Sequence, residues 1–279
     1  MQKKALTCLI SCGLLVLAAG CGGGSGEKQA ASTPPHGQAA PATEAAATPP
    51  AGGNAGMAAQ PAGGGTGMVK GAVRLEGAPP AGAKLKMDAD PYCKTQHPGS
   101  PPAAETVATN SDGTLRNVFV YVKSGLEGKH FTAPTEPVTI DQHGCTYHPH
   151  VLGIMIGQPL KIINSDATLH NIHSLAKNSR QFNLGMPTKG MQLTQKFTSE
   201  EVMVFIKCDV HPWMGAYAGV LSHPFYSVTA DGGTFELKDL PEGTYTIEAW
   251  HEKYGTQTQQ VTVKAGVPAE ISFTFKTPA

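Results

Sequence analysis

The chain is short of charge. Only 15% of its 279 residues are Asp, Glu, Lys or Arg, and 21 basic side chains are balanced by 21 acidic ones. A zero formal balance removes the broad electrostatic footprint of a nucleic-acid binder or of a protein drawn to an anionic membrane surface, so no nucleic-acid partner is expected. Any partner has to be recognised through a local patch. The chain also lacks an apolar run of the roughly 20 residues that a membrane-spanning helix needs. Nor does any long stretch show helical periodicity, which removes the helical bundle as a fold class. What is abundant is Gly, with 33 residues, and Pro, with 22. Their uneven spread implies that part of the chain does not pack.

The N-terminal segment has the layout of an export signal over residues 1–20: Lys3 and Lys4 precede an apolar run from Ala5 to Ala19. Its end, Leu17-Ala18-Ala19-Gly20-Cys21, resembles a bacterial lipoprotein processing site. That resemblance makes Cys21 the lipidated new N-terminus, with contact to the membrane only through the lipid and the folded part facing the periplasm or cell exterior. Cleavage near Ala19 to a soluble secreted protein is the alternative. From Gly22 to about Gly67 the sequence is almost wholly Gly, Ala, Pro, Thr, Ser and Gln, with Met57 as its one large apolar residue. Such a stretch cannot bury enough surface to offset its chain entropy, so residues 21–66 read as a disordered tether.

From Met68 onward short apolar runs alternate with Gly and Pro, which predicts an all-β body. Strands are expected at 69–75, 117–122, 138–141, 151–156, 160–164, 192–197, 202–207 and 216–221. The run Val202-Met-Val-Phe-Ile206 is apolar on both faces, as a central strand of a sandwich would be. After His223 the pattern becomes hairpins: Asp231-Gly232-Gly233 and Pro241-Glu242-Gly243 are turn sequences in which Gly supplies positive φ. The expected division is a domain over 67–222 and a small β-module over 223–279.

The chemistry concentrates in Cys208-Asp-Val-His211-Pro-Trp-Met214, which offers a thiolate, an imidazole and a thioether from one loop between two strands. A fourth donor is His170 in His170-Asn-Ile-His173, expected at the end of the strand that starts at Leu160. Thiolate and thioether favour Cu(I), imidazole serves both oxidation states, and two His with one Cys under a weak axial Met is the blue-copper donor set. One copper ion, cycling between Cu(I) and Cu(II), is the expected cofactor.

These two motifs resemble the cupredoxins, and within them the ligand loops of amicyanin: a His-Asn-x-His element and a short Cys-x-x-His-Pro-aromatic-Met loop. The resemblance covers roughly 151–221 and implies a Greek-key β-sandwich. Position by position it implies His170, Cys208, His211 and Met214 as ligands, with His211 an imidazole at the exposed edge. Asn171 would brace the ligand loop, and His173 would neighbour the site. Pro212 and Trp213 would form an apolar docking rim for redox proteins outside the cytoplasm. The C-terminal Asp-Gly-Gly-Thr-Phe, Leu-Pro-Glu-Gly-Thr-Tyr and Ala-Trp-His pattern resembles the carboxypeptidase regulatory-like, or transthyretin-like, β-domain, which implies no catalysis. Residues 71–80 resemble the opening strand of such a domain, so the N-terminal strands belong either to the copper domain or to the C-terminal sandwich.

Two cysteines remain once the signal segment, Cys21 and Cys208 are set aside. In an oxidising compartment Cys93 and Cys145 are most simply a disulfide. His143, His148 and His150 read as a His-rich surface loop, with a second metal site as the competing reading. The expected function is single-electron transfer and not enzymatic catalysis. Copper delivery, a structural surface module, and an enzyme using the extra histidines are the competing readings.

Overall fold

The computed structural model describes residues 65–278. The expected signal segment, the lipidated Cys21 and all but the end of the tether lie outside the described residues. Along the chain the elements are β1 (Thr66–Glu76), α1 (Pro91–Gln96), β2 (Phe119–Ser124), β3 (Val138–His143), β4 (Thr146–His148), β5 (Val151–Met155), β6 (Leu160–Asn164) and β7 (His170–Ser174). They continue with β8 (Asn183–Met186), β9 (Gln192–Gln195), β10 (Glu201–Lys207), β11 (Gly215–Leu221), β12 (Tyr226–Val228), β13 (Thr234–Pro241), β14 (Gly243–His251), β15 (Gly255–Val263) and β16 (Pro268–Lys276). The fold is all-β, as the alternation of short apolar runs and turn residues requires. Among the described residues no helix is long and apolar enough to cross a membrane.

The strands form two β-sandwiches, one nested in the other. Sheets ordered β13-β1-β16 and β12-β2-β14-β15 make the first, and sheets ordered β5-β11-β10-β7-β8 and β4-β3-β6-β9 make the second. All nine strands of the second lie between β2 and β12 in sequence. The expected boundary after residue 222 therefore does not follow the strand pairing. β1 runs parallel to β16 and antiparallel to β13, and β2 sits between β12 and β14. The physical reason is burial: residues 223–279 alone lack the central strand of one sheet and one of the two inner strands of the other. Adding β1 and β2 completes a core that includes Val73, Val120, Phe235, Ile247, Phe273 and Phe275.

A second difference concerns His170. The strand from Leu160 ends at Asn164, and His170 opens a separate strand, β7, in the opposite sheet of the second sandwich. Ser165 to Leu169 form the corner. Asn164 Nδ2 donates to the carbonyls of Thr168 and Met186, and Asn164 Oδ1 accepts from the Asp166 N–H, so one buried amide turns the chain from one sheet to the other.

The two sandwiches meet through a hollow lined by glycine. Gly153 of β5 and Gly219 of β11 are partners in register, and the rings of Phe119 and Tyr226 fill the space above them, stacked at 5.7 Å. A Cβ on Gly219 would fall 2.3 Å from the Phe119 ring, and one on Gly153 would fall 2.2 Å from the Tyr226 ring. Overpacking of this kind costs about 1–3 kcal/mol. Gly219→Ala should lower the stability of the folded chain by that amount in denaturant unfolding. Gly185→Ala, on β8 with open space around it, should leave stability nearly unchanged. Equal effects of the two would contradict the packing account.

Candidate metal centre

β10 delivers Cys208 and β11 takes the chain away after Met214, so the intervening loop is a hairpin connection between two adjacent strands. Its backbone is closed on itself. Cys208 N–H donates to Met214 O at 3.2 Å, Met214 N–H to His211 O at 2.9 Å, and His211 N–H to Cys208 Sγ at 3.3 Å. β7 pairs with the other side of β10, with Ile206 opposite Ser174 and Lys207 opposite His173. Continuing that antiparallel register past the end of β10 brings the start of β7, and with it His170, level with the loop. Asn171 Oδ1 accepts the N–H of Asp209, the residue after the cysteine, and its own carbonyl accepts the Tyr147 hydroxyl at 2.6 Å. This polar bracket joins the two donor-bearing segments.

The result is a buried cluster. The donor atoms of His170, Cys208 and His211 lie within 4.8 Å of one another. The two imidazole Nδ1 atoms are 2.9 Å apart, and His211 Nδ1 is 3.8 Å from Cys208 Sγ. Met214 is buried in the same core cluster as Cys208. Each imidazole has its other nitrogen on a carboxylate: His170 Nε2 on Asp166 Oδ2 and His211 Nε2 on Asp90 Oδ2, both at 2.9 Å. With Nε2–H directed to a carboxylate, the Nδ1 lone pair of each ring is left for a shared ion. Two imidazoles and one thiolate in a buried site, with the Met214 thioether in the same core cluster, fit copper by donor chemistry.

The electrostatics favour charged donors. Burial alone would push the Cys208 thiol up, but hydrogen bonds from His170 and His211 and the backbone N–H groups of Asn171 and His211 outweigh it and bring it down to about 6. Burial would push His170 down, yet Asp166 and Cys208 raise it to about 9. Asp166 is held ionised against its own burial by His170 and the N–H groups of Cys145 and Gly144. In the metal-free chain these groups amount to a thiolate beside an imidazolium.

Other expected residues fall elsewhere. His173 is partly exposed, with Nδ1 2.9 Å from Asp209 Oδ2, and its donor atoms are outside the cluster. His211 is not at an exposed edge: it is 2% exposed. The cause is a strap that the sequence pattern did not reveal. Residues 83–104 leave and return at one point, where Lys84 bridges Ala103 and Leu85 N–H meets Pro102 O. The tip carries α1 over the site. Asp90 caps α1, accepting from the N–H groups of Tyr92 and Cys93, and Pro91 opens the helix. Cys93 is bonded to Cys145, so the expected disulfide is present. Closing a loop of 52 residues, it removes about 4 kcal/mol of unfolded-chain entropy in the loop-closure estimate. Trp213 lies half-buried beneath this roof, its Nε1–H on Cys145 O at 3.0 Å, and Pro212 is exposed.

The extra histidines form no set of three close donors, although the His143 and His148 rings lie 6.4 Å apart. His148 Nε2 meets the Thr146 hydroxyl, and His150 Nε2 is 2.6 Å from Glu252 in the other sandwich. Among the described residues, the only sets of three close His, Cys, Asp or Glu donors surround the centre just described. Asp90 and Asp166 are the functional residues that sequence reasoning missed. Asp166, one turn of sequence before His170, was within reach of a spacing argument, whereas Asp90 lies 121 residues from His211 and carried no signal.

Residues 220–276 match the family of carboxypeptidase regulatory-like domains. No curated protein matches the chain. Solved structures similar to part of it include a Cu-containing nitrite reductase from Thermus scotoductus, at 22% identity over 34% of this chain and 24% of that one, TM-score 0.30. A purple cupredoxin from Nitrosopumilus maritimus is 25% identical over 29% of this chain and 97% of that one, TM-score 0.26. An amicyanin variant in its Cu(I) form is 21% identical over 36% and 97%, TM-score 0.28. The chain thus spans about a quarter of the reductase. The architecture is all-β, two β-sandwiches, with the carboxypeptidase regulatory-like match covering the C-terminal strands. One expectation is corrected here: with a copper reductase among the similar structures, the exclusion of enzymatic activity is withdrawn.

The thiolate gives a direct check on this geometry. In the metal-free protein the ultraviolet absorption of the Cys208 thiolate should appear with a midpoint near pH 6, because the folded state favours the charged form. In His170→Gln the midpoint should move up toward the ordinary thiol range of about 8.5. A wild-type midpoint already in that range would contradict the arrangement.

Proposed function

We propose that this chain holds one copper ion between His170 Nδ1, His211 Nδ1 and Cys208 Sγ, with Met214 as a weaker fourth donor, and passes single electrons. The observation that carries the reading is the convergence of three donor atoms from two distant segments within 4.8 Å in a buried site. Bound copper would supply a one-electron couple between Cu(I) and Cu(II). The chain's own part is to keep the donors in nearly one arrangement through both states, so that little reorganises as charge moves. The closed 208–214 loop, the Asn171 bracket and the strap all serve that end, and the strap also keeps water off His211.

The buried His211 moves the proposed docking surface. Two of the large apolar side chains that the described residues leave exposed are Leu169 and Val210, each 45% exposed and each one residue before a donor histidine. A small apolar contact suits a transient redox encounter. We place the partner, a redox protein outside the cytoplasm, at these two side chains in preference to Pro212 and Trp213. Lipidation at Cys21, with residues 21–66 as tether, would hold the chain at the membrane within reach of such partners. The roof over His211 also favours retention of the ion over its ready delivery.

Copper-loaded protein should show one copper per chain, an intense thiolate-to-copper visible band and the narrow spin-resonance splitting of a blue site. Cys208→Ser should abolish the band. Two coppers per chain, or a site without sulfur-to-metal absorption, would overturn the reading. Leu169→Asp and Val210→Asp should keep the band and slow exchange with redox proteins by roughly one decade. Reduction by a small inorganic reagent should be unaffected. A change of colour in these variants would contradict the docking assignment.

A further inference from the structure

The two donor histidines are not backed in the same way. Asp166 is local to its partner, being four residues before His170, and it is fixed by donors from three directions: the N–H groups of Gly144 and Cys145 at 2.9 and 2.8 Å and the Tyr92 hydroxyl at 3.3 Å. Asp90 arrives from the strap. Its Oδ1 is occupied with capping α1, while Oδ2 accepts the Thr168 hydroxyl at 3.0 Å and faces His211 Nε2 at 2.9 Å. The strap is in turn pinned to the second sandwich by Cys93–Cys145, by His97 Nε2 to Gly144 O at 2.7 Å, and by an apolar cluster of Met87, Cys93 and Cys145 against Leu85, Tyr92 and Trp213.

We propose that Asp90 is a positioning residue of the metal centre, through which the disulfide-pinned strap sets the reduction potential and keeps His211 seated as a donor. The proposal rests on the copper reading above. A carboxylate that accepts the Nε2–H of an imidazole fixes the tautomer, so that Nδ1 presents its lone pair, and it makes that nitrogen more basic. A more basic nitrogen and a nearby negative charge both stabilise the more highly charged ion. Both effects therefore favour Cu(II) over Cu(I) and lower the potential. Low local dielectric strengthens them, since His211 is buried beneath the strap. Asp166 acts in the same sense on His170, but it is built into the sandwich, whereas Asp90 is present at the site only while the strap is down.

The test is a redox titration of the copper-loaded chain, followed through its visible band, for wild type, Asp90→Asn and Asp88→Asn. Asn at position 90 can still cap α1 through its one oxygen, but it removes the charge and replaces the acceptor facing His211 Nε2 by an amide N–H. Asp88 is an exposed acid of the same strap, paired with Lys94, and controls for general loss of charge. Asp90→Asn should keep the band and weaken Cu(II) relative to Cu(I) by about tenfold or more. That shift raises the potential by about 59 mV per tenfold for one electron. Asp88→Asn should leave it nearly unchanged. The paired change Cys93→Ser with Cys145→Ser, which frees the strap, should move the potential in the same direction as Asp90→Asn. An intact band with an unmoved potential in Asp90→Asn overturns the proposal alone. A wild-type chain without a copper–thiolate band overturns the copper reading and the proposal with it.

Discussion

The antiparallel register of β7 against β10 is the constraint on which the metal-donor centre depends. Lys207 sits opposite His173, and the pairing stops there. Both strands then give way to donor-bearing segments at the same end of the sandwich. A slip of one residue would turn His170 to the other face of the sheet and separate it from Cys208. The Asn171 side chain, bonded to the backbone just after the cysteine, holds that register at the point where the sheet no longer does. Because the strands are buried in a core containing Ile172, Val204, Ile206 and Ala216, the register is fixed by apolar packing as well as by hydrogen bonds.

The second layer of control comes from outside that sandwich. A strap reaching from the segment between β1 and β2 covers the loop, places a carboxylate on the His211 imidazole and is stapled by a disulfide to the turn before β4. The same turn donates two N–H groups to the carboxylate behind the other histidine. Both imidazoles thus have their second nitrogen on a carboxylate, one brought by the strap and one fixed in the sandwich. The glycine-lined contact at Gly153 and Gly219 then seats the second sandwich against the first, and His150–Glu252 adds a polar bridge between them.

Much of this was written in the sequence, and the parts that were not have physical reasons. The Cys208–Met214 loop was legible because its donor types and spacing have little other use, and most strands were legible from alternation. β7 was missed as a separate strand because Asn164 turns the chain at a corner lacking Gly or Pro, so no breaker separates Leu160 from His170 in the sequence. The nesting of the sandwiches escaped because strand partners separated by more than a hundred residues leave no local pattern. β1 pairs with β16 in a parallel ladder although the two lie at opposite ends of the described residues. The exposure of His211 was misread for a related reason: a short loop implies a surface ligand only when nothing else covers it. Asp90 caps α1, and where that helix lands is a tertiary fact.

The central claim is that two imidazole nitrogens and one thiolate close around a single copper ion. X-ray absorption at the copper edge, on the loaded chain, reads the ligand atoms directly. The account predicts two nitrogen neighbours and one short sulfur neighbour, with the sulfur lost in Cys208→Ser. A first shell of nitrogen and oxygen alone, unchanged by that substitution, would contradict it.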